Sequence, residues 1–117
     1  MKRKKVTVID DDDAILEVCR ILLEKDYDVE TLTEGSIILD RKDDLPDLVL
    51  LDILLAGEDG IEIARKLKEN KKTKNISIIV FSAHPKGQEE ARAAGIELFL
   101  QKPFEIEDLL KIVKENI

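Results

Sequence analysis

Five times along this chain a short apolar run gives way to a stretch whose apolar residues recur at helical spacing. The runs lie near residues 5–10, 28–32, 47–52, 76–81 and 97–101 and predict strands. The segment Ile76-Ser77-Ile78-Ile79-Val80-Phe81 is short and rich in β-branched residues, which favours strand over helix. Helices are predicted near 14–25, 35–42, 60–70, 87–94 and 105–116. Their apolar stripes run through Ile15, Val18, Cys19, Leu22 and Leu23, then Ile61, Ile63, Ala64 and Leu67, then Ile106, Leu109, Leu110 and Val113. Gly35, Gly60, Gly87 and Gly95 punctuate the joins. Strict βα alternation leaves few folds open. It implies an α/β domain, (βα)5 and doubly wound, with a five-stranded parallel sheet, helices on both faces and right-handed connections. The continuously apolar strands near 6–9, 48–51 and 76–81 belong in the middle, and the more polar 28–32 at an edge. A length of 117 residues suits one domain spanning 1–117, with no linker, repeat or low-complexity segment to divide it.

Two of these strands end on carboxylates. Val6-Thr7-Val8-Ile9 runs into Asp10 to Asp13, and Leu48-Val49-Leu50-Leu51 stops on Asp52. A charge within an apolar strand costs several kcal/mol unless it is paired or metal-bound. At the carboxyl end of a parallel strand it instead reaches the rim where such sheets bind ligands. The same rim should carry Asp10, Asp11 and Asp52, then Ser82 after the fourth strand and Lys102 after the fifth. Three carboxylates repel one another. Lys102 offsets one charge, a divalent cation would offset the rest, and an all-oxygen set suits Mg²⁺.

Composition removes several alternatives. Aromatics are 3% of the chain, so the core is aliphatic and base stacking on nucleic acid has little to work with. A net charge of −7 argues against a general affinity for phosphate backbones. The local basic start Lys2-Arg3-Lys4-Lys5 is expected to be a solvated lead into the first strand. Cys19 falls on an apolar helix face and reads as a buried, inert thiol. There is no stretch of membrane-spanning length and no signal-peptide pattern, so a cytoplasmic location without membrane contact is the expectation.

The chain resembles the receiver domain of bacterial two-component response regulators, the CheY-like family. The resemblance rests on Val8-Ile9-Asp10-Asp11-Asp12, Pro46-Asp47-Leu48-Val49-Leu50-Leu51-Asp52, Asp59-Gly60, Ser82-Ala83, Ala94-Gly95 and Lys102-Pro103-Phe104, in order from end to end. It implies the flavodoxin-like strand order 2-1-3-4-5. It further implies phosphorelay signalling, with Asp52 as phosphoacceptor for a sensor histidine kinase or histidine phosphotransfer protein. Asp11 would bind Mg²⁺ directly, Asp10 largely through water, with Asp52 and the backbone carbonyl of Leu54 completing the metal set. Lys102 would neutralise phosphoryl charge and Ser82 would hydrogen-bond the attached group. Phe99 occupies the switch-aromatic position, and the Lys102–Pro103 bond is commonly cis in the family. Ser82 and Phe99 would move on phosphorylation, changing affinity for a downstream protein or output domain across the face formed by 87–94, 97–101 and 105–116. Such a domain is not a conventional enzyme, because it catalyses only its own phosphorylation and dephosphorylation. A monomer or weak homodimer is implied, with no direct nucleic-acid contact.

Some positions depart from the family pattern. Ala56 stands where proline is usual, which predicts a less rigid loop after Asp52. The interval from Ser82 to Gly95 is short, so the helix within it should be short or shifted. Leu54 and His84 occupy the variable positions that tune hydrolysis, and an apolar Leu54 should hinder water. Other readings are open for single residues. Asp12 or Asp13 fits a helix cap, His84 an exposed loop residue, and Phe104 core packing. A phosphatase using an aspartate nucleophile would want a second aspartate where Leu54 stands. The alternative, a phosphorylation-independent receiver-like binding module, is opposed by the intact set Asp10, Asp11, Asp52, Ser82 and Lys102. An EF-hand loop lacks its glycine, and no glycine-rich nucleotide loop occurs.

Overall fold

The structure, a computed structural model, describes residues 3–117. In chain order the elements are β1 (Lys5–Ile9), α1 (Asp13–Leu23), β2 (Asp28–Leu32), α2 (Ser36–Leu39), β3 (Leu48–Leu51), β4 (Leu54–Leu55), β5 (Glu58–Asp59), α3 (Gly60–Glu69), β6 (Ser77–Ser82), α4 (Gly87–Ala93), β7 (Leu98–Gln101) and α5 (Ile106–Asn116). Five strands form one parallel sheet in the order β2-β1-β3-β6-β7, the expected 2-1-3-4-5 with the extra pair β4-β5 set aside. The three central strands are buried along nearly their whole length, and β2 lies at an edge.

Alternation along each strand divides the interior into two aliphatic layers. Val6, Val8, Leu48, Leu50, Ile79 and Phe81 face α1 and α5, where Leu16, Cys19, Leu23, Leu109 and Val113 close the layer. Ile9, Val49, Leu51, Ile78 and Val80 belong to the other layer, with Ile38, Ile63, Ala64, Leu67 and Ala91. Each fully buried aliphatic side chain contributes about 1.5–3 kcal/mol, so these layers carry most of the folding energy.

Departures from expectation concern the helices and one hairpin. The helical stripe of α1 is narrower than its spacing predicts: Leu16, Cys19 and Leu23 are buried, whereas Val18 is 43% exposed. Ile106 is likewise exposed on α5. α2 is one turn, not the expected 35–42. Past Leu39 the chain leaves the helix, and the Arg41 guanidinium grips both carboxylate oxygens of Glu30 on β2. Thr7 donates to the same carboxylate at 3.0 Å, which satisfies a buried hydroxyl between two strands. The helix α4 is short, as expected. Lys5 begins β1 and pairs with Asp44, Arg3 and Lys4 are exposed, and the Lys2 end of the expected basic lead lies outside the described residues.

The unexpected hairpin β4-β5 follows Asp52 directly and turns through Ala56-Gly57, with Gly57 at φ +75°. That left-handed conformation is one glycine adopts without strain. Glu58 reaches from the hairpin to α2, accepting from the amides of Gly35 at 2.7 Å and Ser36 at 3.1 Å. Asp59 accepts from Ile61 and Glu62 and caps α3. The segment expected to be less rigid makes hydrogen bonds to α2 and α3.

The Arg41 hydrogen bonds hold the Glu30 carboxyl below its usual range. A depressed carboxyl pKa stabilises the fold above the unfolded value and loses that contribution as pH falls through the folded one. Glu30→Gln should therefore be less stable than the parent at pH 7, and the gap should close only as pH falls below about 4, the ordinary carboxyl range. Urea unfolding at a series of pH values checks this; a pH-independent gap would refute it.

Candidate functional site

Strand parity assembles the site. Residues 6 and 8, 48 and 50, and 98 and 100 all face the α1/α5 layer. One further pleat on each strand brings Asp10, Asp52 and Lys102 to that side of the carboxyl rim. The ladder extends past the strands to hold them, because the Asp10 amide donates to Leu32 O at 3.1 Å and Asp52 to Ile9 O at 3.0 Å. Lys102 donates from its backbone amide to Ser82 O at 3.0 Å. Pro103 follows in a cis peptide, as the resemblance implied.

The Lys102 ammonium donates to Asp10 Oδ2 and, at 2.9 Å, to Asp52 Oδ2. It lies 4.6 Å from the centre of the Phe81 ring, so its stem and charge rest on an aromatic floor. Asp10 and Asp52 are 1% and 6% exposed. Their second oxygens accept from amides two residues on: Asp10 Oδ1 from Asp12 and Asp52 Oδ1 from Leu54, both at 2.9 Å. Asp11 is exposed and accepts from the Ala56 amide at 3.0 Å. Asp12 caps α1 through the Ala14 amide. No room remains beneath the hairpin, since a Cβ on Gly60 would lie 2.4 Å from the Asp52 carbonyl oxygen and 2.5 Å from Ile53 Cα.

Electrostatically the site is short of positive charge. Burial raises the Asp10 pKa despite the hydrogen bonds from Lys102 and the Asp12 amide. Burial also works against the Lys102 charge, but its bonds to Asp10 and Asp52 prevail and raise its pKa. The lysine is thus firmly an ammonium facing more anionic charge than it can balance. Asp10, Asp11 and Asp52 each offer one carboxylate oxygen, all within 4.8 Å of one another. Hard oxygen donors with an excess of negative charge fit a divalent cation.

Ser82 ends β6 on the opposite pleat parity and is fully buried. Its Oγ accepts from the His84 amide at 3.0 Å rather than joining the lysine network. Phe99 is half-buried in the other layer, beside Gly87, where a Cβ would sit 3.1 Å from the ring. Leu54 is 53% exposed at the rim. His84 is half-buried, and its Nδ1 accepts from the Lys86 amide. Cys19 lies buried below the site, where burial and then the Asp10 charge push its thiol up to about 11, in keeping with an inert role. Sequence reasoning missed the Ala56 amide and the Glu58 tether, since neither belongs to a side-chain pattern along one element.

The receiver-domain family of response regulators matches residues 6–114. The chain belongs to that family and is a receiver domain of two-component phosphorelay signalling. It is 36% identical over 97% of its length to the phosphate regulon transcriptional regulatory protein PhoB of Pseudomonas aeruginosa, covering 52% of that protein. It superimposes on the chemotaxis response regulator CheY4 of Vibrio cholerae with a TM-score of 0.87 at 25% identity, over 99% of this chain and all of the other. Its match to DrrB, a Thermotoga maritima homologue of OmpR and PhoB, has a TM-score of 0.85 at 29% identity, over 97% of this chain and 52% of that one. The chain spans about half the length of the curated relatives it matches. Among the described residues, no helix is long and apolar enough to cross a membrane.

The charge imbalance makes an asymmetric prediction. In EDTA, Lys102→Met strands two buried carboxylates and should cost about 3 kcal/mol. Asp11→Asn removes one of three like charges and should cost nothing measurable. Denaturant unfolding reads both, and equal losses would contradict the charge accounting.

Proposed function

We propose that Asp52 is the phosphoacceptor, taking a phosphoryl group from a phosphohistidine on a sensor histidine kinase or a histidine phosphotransfer protein. The observation that carries this reading is the lysine bridging two buried carboxylates beside a third, at the carboxyl rim of a parallel sheet. A carboxylate oxygen of Asp52 attacks phosphorus, the P–N bond breaks, and the imidazole leaves as the neutral ring once protonated. Asp10, Asp11, Asp52 and the backbone carbonyl of Leu54 would hold Mg²⁺, which when bound supplies charge neutralisation at the phosphoryl oxygens. Lys102 supplies a second, fixed cation to the same oxygens. Ser82 turns from the His84 amide toward the attached group, and Phe99 moves further inward. The domain performs its own phosphorylation and dephosphorylation rather than turning over a separate substrate. It acts in the cytoplasm, through a downstream protein or an output domain. The transcriptional role of PhoB supports a receiver whose output lies on another unit.

The test is phosphorylation by acetyl phosphate with Mg²⁺, read by intact mass. The parent should gain one phosphoryl group and Asp52→Asn none. The DrrB receiver domain has been solved in a BeF₃-activated form. The same reagent with Mg²⁺ should shift the Ser82 and Phe99 resonances here, and the absence of any metal-dependent response would point instead to a phosphorylation-independent binding module. Exposed and apolar at the rim, Leu54 should hinder an attacking water. The phosphorylated parent should therefore decay more slowly than Leu54→Asn, and equal decay in Mg²⁺ would sink that role.

A further inference from the structure

Of the three rim carboxylates, Asp11 is the one that Lys102 does not hold. Asp10 and Asp52 are each gripped twice, by Lys102 and by an amide two residues on. Asp11 is exposed, and the hydrogen bond that orients it comes from the Ala56 amide, 45 residues away. We propose that Ala56 is a positioning residue for the cation site, acting through its backbone N–H, which presets the Asp11 carboxylate for a divalent ion. The inference rests on the cation site of the proposed function and deepens it.

The geometry separates the two tasks of the carboxylate. Ala56 engages one oxygen, Oδ2, through a single lone pair, and the carboxylate keeps acceptor sites for an ion. The carboxylate held in this way has an oxygen within 4.8 Å of ligand oxygens on both Asp10 and Asp52. An exposed aspartate otherwise samples several rotamers, and fixing one before the ion arrives removes an entropic cost from binding. Carboxylates that ligate metals are commonly held in this way by an outer hydrogen bond, and losing such a partner weakens binding about 10–100-fold.

The donor is itself well anchored. Leu55 is buried in the core, Glu58 is bonded to the Gly35 and Ser36 amides, and Asp59 caps α3. The Ala56 side chain is exposed, so its contribution lies in the backbone. Ala56 has no positive φ and precedes Gly57 at φ +75°, the pattern of a turn that admits proline at its first central position. Ala56→Pro therefore deletes the N–H while keeping the turn.

Calorimetric titration with Mg²⁺ alone, with amide NMR as a second readout, decides the matter. Ala56→Pro should bind Mg²⁺ about tenfold more weakly than the parent, while its thermal midpoint in EDTA is unchanged or raised. Ala56→Ser, which keeps the N–H, should bind within about twofold of the parent, and in the parent Asp11→Asn should shift the Ala56 amide resonance. Equal Mg²⁺ affinity of Ala56→Pro and the parent, with binding lost in Asp11→Ala, overturns the positioning role and leaves the cation site standing. If the parent binds no Mg²⁺, both fall. If Ala56→Ser weakens binding as much as Ala56→Pro, the effect belongs to the side chain and the inference is wrong.

Discussion

The ammonium of Lys102 is the group on which the rest of the rim depends. It lies between two carboxylates that are almost wholly buried, and without it both would lose the cation that holds them. Its own place is set by the end of β7, by the hydrogen bond its backbone N–H donates to the Ser82 carbonyl and by the Phe81 ring beneath its charge. The aliphatic layer therefore does more than stabilise the sheet. It provides the dry floor that makes a single positive charge effective against several negative ones.

Above that floor the site is enclosed by amides rather than by side chains. Leu54, Asp12 and Ala56 each donate an N–H to a different carboxylate, and the tight fit of Gly60 against Asp52 and Ile53 lowers the hairpin onto the strand end. Backbone donors cannot swing away as side chains can. The acidic cluster is thus enclosed by backbone on its inner side and open toward solvent at Leu54 and Asp11.

The sheet was legible because its central strands are short, apolar and rich in β-branched residues and alternate with helical spacing, which together mark buried parallel strands. The order of the strands came from family resemblance, as did the roles on the rim. Pairing of Asp10, Asp52 and Lys102 was half visible, since all three follow apolar residues of the same parity. α2 was overread because the Arg41–Glu30 pairing just past it links side chains 11 residues apart within the same strand-helix unit, which helical spacing does not register. The hairpin escaped because two-residue strands have no periodicity. Spacing alone also made the α1 stripe too wide, since it cannot tell that Val18 lies past the edge of the contact with the sheet. The loop expected to be less rigid for lack of a proline makes, through Ala56, a hydrogen bond that a proline could not donate.

Pleat parity has a consequence for how such a chain can vary in length. Three strands must each deliver one charged group to the same side of the rim, and adding or removing one residue within β1, β3 or β7 would send that group to the layer of α2 and α3. There it would meet aliphatic side chains with no lysine opposite. The strand interiors thus tolerate replacement of one apolar residue by another but not a change of count. Insertions and deletions are confined to the joins, such as the polar stretch 40–47 at the far end of the sheet, where an added residue changes the path of a loop and leaves every charge where it was.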